Sequence, residues 1–171
     1  MKRENLLHEK DEFVRLWHRA TEAQKTLGRL PESWSVLYFD AIDISLPGFF
    51  ELVRMLLRLE GGKDFAVLAL DPDPFGYFFY HFKKYPAFVV RKEHSIEEYY
   101  SFLHADPGDS PADALAYNAQ EYAILPVSGS WYAFGNRPSE VGRLCASKEI
   151  IEFSRQHYPY FFEREDDLKP G

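Results

Sequence analysis

Along residues 5–27 the apolar positions Leu6, Phe13, Trp17, Ala20 and Leu27 recur at helical spacing, and Leu16 and Ala23 widen the stripe. Apolar residues that return every three to four positions turn one face of a helix toward a core. The other face carries Glu9, Lys10, Asp11, Glu12, Arg15, Arg19 and Glu22, charges of both signs that suit solvent. Asn5 suits the cap at the start, and Gly28 followed by Pro31 stops the helix. Trp34–Asp40 is β-rich and predicts a strand. Ser45-Leu-Pro-Gly then opens a second helix, with Ser45 as cap and Pro47 in the first turn, where its missing N–H had no partner. Phe49, Leu52, Val53, Leu56 and Leu59 give this helix a wide buried face, and Gly61-Gly62 ends it. Phe65–Leu70 is an unbroken apolar run of strand length, which predicts cover on both faces.

The middle of the chain is less periodic. Asp71-Pro-Asp-Pro-Phe-Gly reads as a loop, because each proline biases its predecessor away from helix. Tyr77–Tyr85 predicts a short aromatic helix and Phe88–Arg91 a strand. Ser95-Ile-Glu-Glu is a capping box, in which Ser95 and Glu98 each satisfy an orphan N–H, and Ile96, Tyr99, Tyr100 and Leu103 line the face that follows. A second cap is expected at Ser110, with Pro111 at the first helical position. Glu121–Val127, Trp131–Gly135 and Glu140–Ala146 predict three successive strands, joined by Ser128-Gly-Ser and Asn136-Arg-Pro-Ser. Ser147 caps a last helix ending at Pro159, and residues 163–171 form a polar tail expected to fray. The fold class is therefore α+β: a single domain over residues 1–171, with a mostly antiparallel sheet, a C-terminal three-strand meander and flanking helices. The two early strands, separated by the second helix, could add a parallel pair. Spacing alone does not order the strands.

Composition narrows the function classes. The chain has 171 residues, 46% of them hydrophobic, a length and content sufficient for one full core. A single cysteine, Cys145, excludes a disulfide framework. A net charge of −7 argues against nucleic acid, whose phosphates demand concentrated Lys and Arg. The longest apolar stretches, Phe49–Leu59 and Phe65–Leu70, are far below the ~20 residues needed to span a bilayer. Residues 1–27 are charged throughout and do not resemble a secretory signal. The expectation is a reduced, cytoplasmic protein with no membrane or nucleic-acid partner.

Candidate chemistry is sparse. His8, His18, His81, His94, His104 and His157 show no metal-ligand spacing, and neither a Cys-x-x-Cys pair nor an EF-hand loop occurs, so neither metal nor cofactor is expected. Asp71 and Asp73 follow a buried strand, a place where carboxylates can serve catalysis or a metal ion, and Asp40 and Asp43 repeat that placement after the earlier strand. Convergence of the two strand ends would permit a small metal-assisted hydrolase or transferase; the alternative is a turn role. Cys145 lies in an apolar strand and reads as an inert buried thiol. The serines at 128, 130 and 147 lack a nucleophile elbow, and Gly61-Gly62-Lys63 ends a helix rather than opening one onto a phosphate.

The most distinctive segment runs from Ser128 to Leu144. Trp131, Ala133 and Gly135 share one strand face and Tyr132 and Phe134 the other, while Arg137 and Glu140 bracket the following turn, close enough to pair. Trp131, Phe134, Gly135, Arg137, Glu140, Val141 and Leu144 carry a resemblance to the C-terminal part of small uncharacterised bacterial α+β proteins, some of which are similar to immunity proteins of polymorphic toxin systems. Pro86-Ala87, Glu98-Tyr99 and Pro111-Ala-Asp-Ala-Leu extend the pattern to about half the chain. Asn136 stands where an acidic residue is expected, and Pro138 departs from the pattern. The resemblance implies no enzyme activity and supplies no catalytic residue.

The leading expectation is a non-enzymatic protein-binding domain, of immunity type through that resemblance, facing a basic toxin. Acidity would then raise the association rate with a basic partner, and aromatic residues in excess of core demand would anchor the interface. Trp131, Asn136, Arg137, Glu140, Asp71 and Asp73 are the candidate binding residues. A homo-oligomeric structural module is a further alternative.

Overall fold

The computed structural model describes residues 6–108, 110–127 and 130–168. Six strands, β1 (Trp34–Asp40), β2 (Asp64–Asp71), β3 (Ala87–Arg91), β4 (Glu121–Pro126), β5 (Tyr132–Asn136) and β6 (Val141–Ser147), form one sheet in the order β1-β6-β5-β4-β2-β3. Every neighbouring pair is antiparallel. The chain is an α+β domain, and β4, β5 and β6 form the expected meander. The parallel pair does not form. Although β1 and β2 run the same way, three strands lie between them, because β1 pairs with β6, the last strand of the meander.

Among the described residues six α-helices flank the sheet: α1 (Lys10–Lys25), α2 (Pro47–Glu60), α3 (Tyr80–Phe82), α4 (Ile96–Leu103), α5 (Leu115–Asn118) and α6 (Lys148–His157). On one face, Leu37, Phe39, Phe65, Val67, Phe88, Tyr122 and Leu144 pack beneath Phe49, Leu52 and Leu56 of α2, Tyr99 of α4 and Ile150 of α6. On the other, Ala66, Leu68, Ala123, Leu125 and Phe134 meet Phe13, Leu16 and Ala20 of α1. Strand β2 supplies both cores, which is why Phe65–Ala69 is apolar at every position.

Several elements begin elsewhere than the sequence suggests. Helix α1 starts at Lys10 rather than residue 5, because Leu7 is drawn onto the β3 edge: its N–H donates to Ala87 O (2.9 Å) and its carbonyl accepts from Tyr85 N (2.8 Å). Asn5 lies outside the described residues. Ser45 does not cap α2. It closes a 3-10 turn, Ala41–Ser45, and Leu46 becomes the cap. The Tyr77–Tyr85 helix is a π-helical turn, Pro74–Phe79, running into the short α3. By contrast, both arms of the Ser95–Glu98 capping box form, and Ser147 caps α6 through Ile150 N. Ser110 accepts from Ala112 N and opens the turn Pro111–Asp113.

Just before the tail expected to fray, residues 163–171, Phe162 exchanges both backbone hydrogen bonds with Tyr38 on the free edge of β1. Beyond it, Glu163 pairs with Arg155 and Glu165 with Arg143 (3.0 Å). Residues 169–171 lie outside the described part. No helix among the described residues is long and apolar enough to cross a membrane.

Candidate functional site

The sheet register places most of the sequence-predicted residues at one end of the molecule. Asp71 stands opposite Glu121, Glu121 opposite Asn136, Asn136 opposite Val141, and Val141 opposite Asp40. Directly opposed residues project on the same face, so these five form one row across β2, β4, β5, β6 and β1, on the α1 side. A bulge between Ala69 and Asp71 brings Asp71 into the row. Arg137 and Glu140 occupy the β5–β6 turn at the same end, and Asp73 follows Asp71 into the π-helical turn.

Individual roles differ from the expectation. The Arg137 guanidinium donates to Ala116 O and not to Glu140, so the Arg137–Glu140 pair expected to latch the turn is not formed. Asn136 is the latch instead. Its Nδ2 donates to Glu121 Oε1 (3.2 Å), and its Oδ1 accepts from Ser139 N (2.9 Å) across the turn. Glu140 is exposed at φ 63°, a left-handed position, with its N–H donating to Arg137 O and its carbonyl accepting from Ala41 N. Asp73 caps its turn, accepting from Phe75 N (2.9 Å) and Gly76 N (3.3 Å). Asp40 likewise accepts from Ile42 N (3.1 Å). Trp131 belongs to none of this. It is fully buried in the α2-side core at the far end of β5, and so cannot meet a partner.

The carboxylates do not converge. Asp71 and Asp40 are four strand spacings apart, roughly 19 Å at the usual ~4.8 Å per strand. Among the described residues no group of three His, Cys, Asp or Glu side chains is placed to hold a metal ion. The arrangement a metal-assisted hydrolase would require at Asp71, Asp73 and Asp40 is thus not formed.

Asp43 is the one buried carboxylate among the described residues, 6% exposed, and it accepts the Tyr158 hydroxyl at 2.7 Å. Burial raises its pKa; the Tyr158 hydrogen bond opposes that, and Asp40 adds to it. Three further tyrosines hold the same 3-10 turn: Tyr122 donates to Ala41 O, Tyr99 to Ile44 O and Tyr100 to Ser45 O, each at 2.6 Å. This network fixes the strand end from within. It faces no solvent at Tyr99 or Tyr122, and burial pushes both hydroxyls well above the ordinary tyrosine range.

What the row leaves exposed is negative charge. Asp71 and Glu121 face each other as like charges, with Asp40 and Glu140 at the same end, and among the described residues none of the four pairs with a Lys or Arg side chain. Opposed like charges destabilise a ladder, by roughly 0.2–1 kcal/mol. Sequence reasoning missed Glu121, because only the register reveals what stands across from it. Cys145, as expected, is an inert thiol: burial pushes its pKa up to about 11 despite Arg143 nearby. Compared with family models, with curated proteins and with solved structures, the chain matches none of them.

Proposed function

We propose that this chain is a non-enzymatic binding domain for a basic protein partner, acting in the manner of an immunity-type inhibitor. The observation that carries the reading is the uncompensated Asp71–Glu121 pair at the head of an acidic strand-end row. Glu121 accepts one hydrogen bond, from Asn136, but a ladder position that sets two carboxylates face to face with no Lys or Arg beside them is understandable if a cation from outside completes it. Lys or Arg side chains of a partner would relieve the repulsion, and a chain of net charge −7 would steer such a partner toward contact. The exposed Tyr77, on the turn that follows Asp73, and Tyr80, at the start of α3, supply aromatic surface near the same end.

Affinity capture from the native host, followed by expression of the captured protein with and without this chain, tests the proposal. The expected partner is basic, arrests growth alone and is neutralised by co-expression. The double variant Asp71→Asn/Glu121→Gln should slow association by about tenfold at low salt, with the difference shrinking as salt rises, and should itself be slightly more stable than the parent. Capture of no such protein, or binding indifferent to both salt and the two substitutions, would overturn it.

A further inference from the structure

The α1 face of the sheet is only partly roofed. Beyond Ala20 the helix and the loop that follows stand clear of the first rows of β1 and β5 and the last rows of β6, leaving a groove of about 590 Å³. That volume lies within the range of small-molecule sites. Trp34, Tyr132 and Phe134 form a line of rings along its floor, with centroids 6.2 Å and 6.4 Å apart, and the protonated Cys145 thiol lies among them. Ala23, Leu27, Leu30 and Pro31 make the apolar wall. One side of the sheet face is closed at the next row by Arg143, which lies over Tyr38 and pairs with Glu165.

Charge at the mouth has the opposite sign to the rest of the molecule. Arg19 and Arg29 stand there with His18, and the one carboxylate, Glu22, is already paired with Lys25 at 3.0 Å. Arg19 is held in position by donating to Val127 O (2.6 Å), while Arg29 is exposed. A basic protein partner would be repelled at this mouth. The groove also lies six residues along β1 from the acidic row, roughly 20 Å at ~3.3 Å per residue.

We infer that the groove binds a small free amphiphile with an apolar body and a carboxylate head, the body lying on Trp34, Tyr132 and Phe134 and the head meeting Arg29 and Arg19. The apolar floor removes hydrocarbon from water, and the two guanidinium groups fix the orientation by charge-assisted hydrogen bonds.

The test uses the full chain, with 8-anilinonaphthalene-1-sulfonate as fluorescent reporter and decanoate, decan-1-ol and decyltrimethylammonium as competitors. The expected result is saturable single-site displacement, with decanoate at least tenfold tighter than decanol and decyltrimethylammonium the weakest. Arg29→Glu, an exposed change, should weaken decanoate about tenfold and leave decanol unchanged. Ala23→Trp should fill the groove and abolish both while the circular dichroism spectrum is retained. Absence of saturable binding, equal affinity for the three competitors, or a groove covered by a second copy, seen as a dimer in solution whose mass does not fall on adding decanoate, would each overturn the inference. None of these outcomes touches the acidic-row reading, which is tested by a partner of opposite charge.

Discussion

Gly135 and Gly142 stand directly opposite each other on β5 and β6, and the absence of two side chains shapes the core above them. A Cβ on Gly142 would lie 2.2 Å from Phe39 Cε2, and one on Gly135 would lie 2.1 Å from Tyr122 Cζ. Both rings rest flat on bare backbone, which lets the Tyr122 hydroxyl reach Ala41 O and pin the end of β1. Neither ring can retreat, since Phe39 is wedged against Phe49 and Tyr122 is fully buried. Gly142→Ala is therefore expected to cost about 3 kcal/mol or more, at the upper end for overpacking, measured by urea denaturation. Gly28→Ala, with open space around its Cβ, is the control and should stay within about 0.5 kcal/mol.

Local signals decided the elements that are closed by their own residues. Ser95 accepts from Glu98 N (3.1 Å) while Glu98 accepts from Ser95 N (3.2 Å), so α4 begins where the four-residue motif places it. Ser95→Ala should lower stability by about 1 kcal/mol in chemical denaturation, the usual worth of a cap. Where a tertiary partner competes, the local reading fails. Ser45 has the right residue type for a cap, but its carbonyl is taken by Tyr100 and its backbone by the tyrosine-bound 3-10 turn. The start of α1 moves for the same reason, since Leu7 gains two hydrogen bonds on β3 that a further helical turn would forgo. Arg137 and Glu140 are three apart and opposite in charge, yet α5 offers Arg137 a carbonyl at closer range.

At the scale of the molecule, charge is unevenly placed among the described residues: carboxylates at one sheet end, guanidinium groups at the groove mouth, and one carboxyl group inside. The buried Asp43 should mark the pH profile of stability. Its folded pKa lies above the ordinary carboxyl value of 3.8, so the folded state binds more protons than the unfolded one in the window just above that value. Its contribution is therefore most favourable below pH 3.8 and declines as pH rises through the raised folded pKa. Asp43→Asn keeps an oxygen for the Tyr158 hydroxyl and removes the titration. The stability of this variant relative to the parent should rise with pH across that window and be flat below it, as read from urea midpoints at a series of pH values. A difference independent of pH would show that Asp43 ionises freely in the fold.

The alternation of apolar and polar residues settled by itself that this is one α+β unit with a C-terminal meander, because strand periodicity, turns of fixed length and helix caps are properties of neighbouring residues. It also marked Asp71, Asp73, Asn136, Arg137 and Glu140 as residues at strand ends and turns. Only the tertiary structure decided that β1 joins β6 rather than β2, since pairing among strands distant in sequence depends on which edges the packed helices leave open. The same holds for the site. Asp71 faces Glu121 through a bulged register, Trp131 disappears into the core, and Trp34, Tyr132 and Cys145 come together as one floor from three separate strands. Register couples residues tens of positions apart, and no local pattern encodes it.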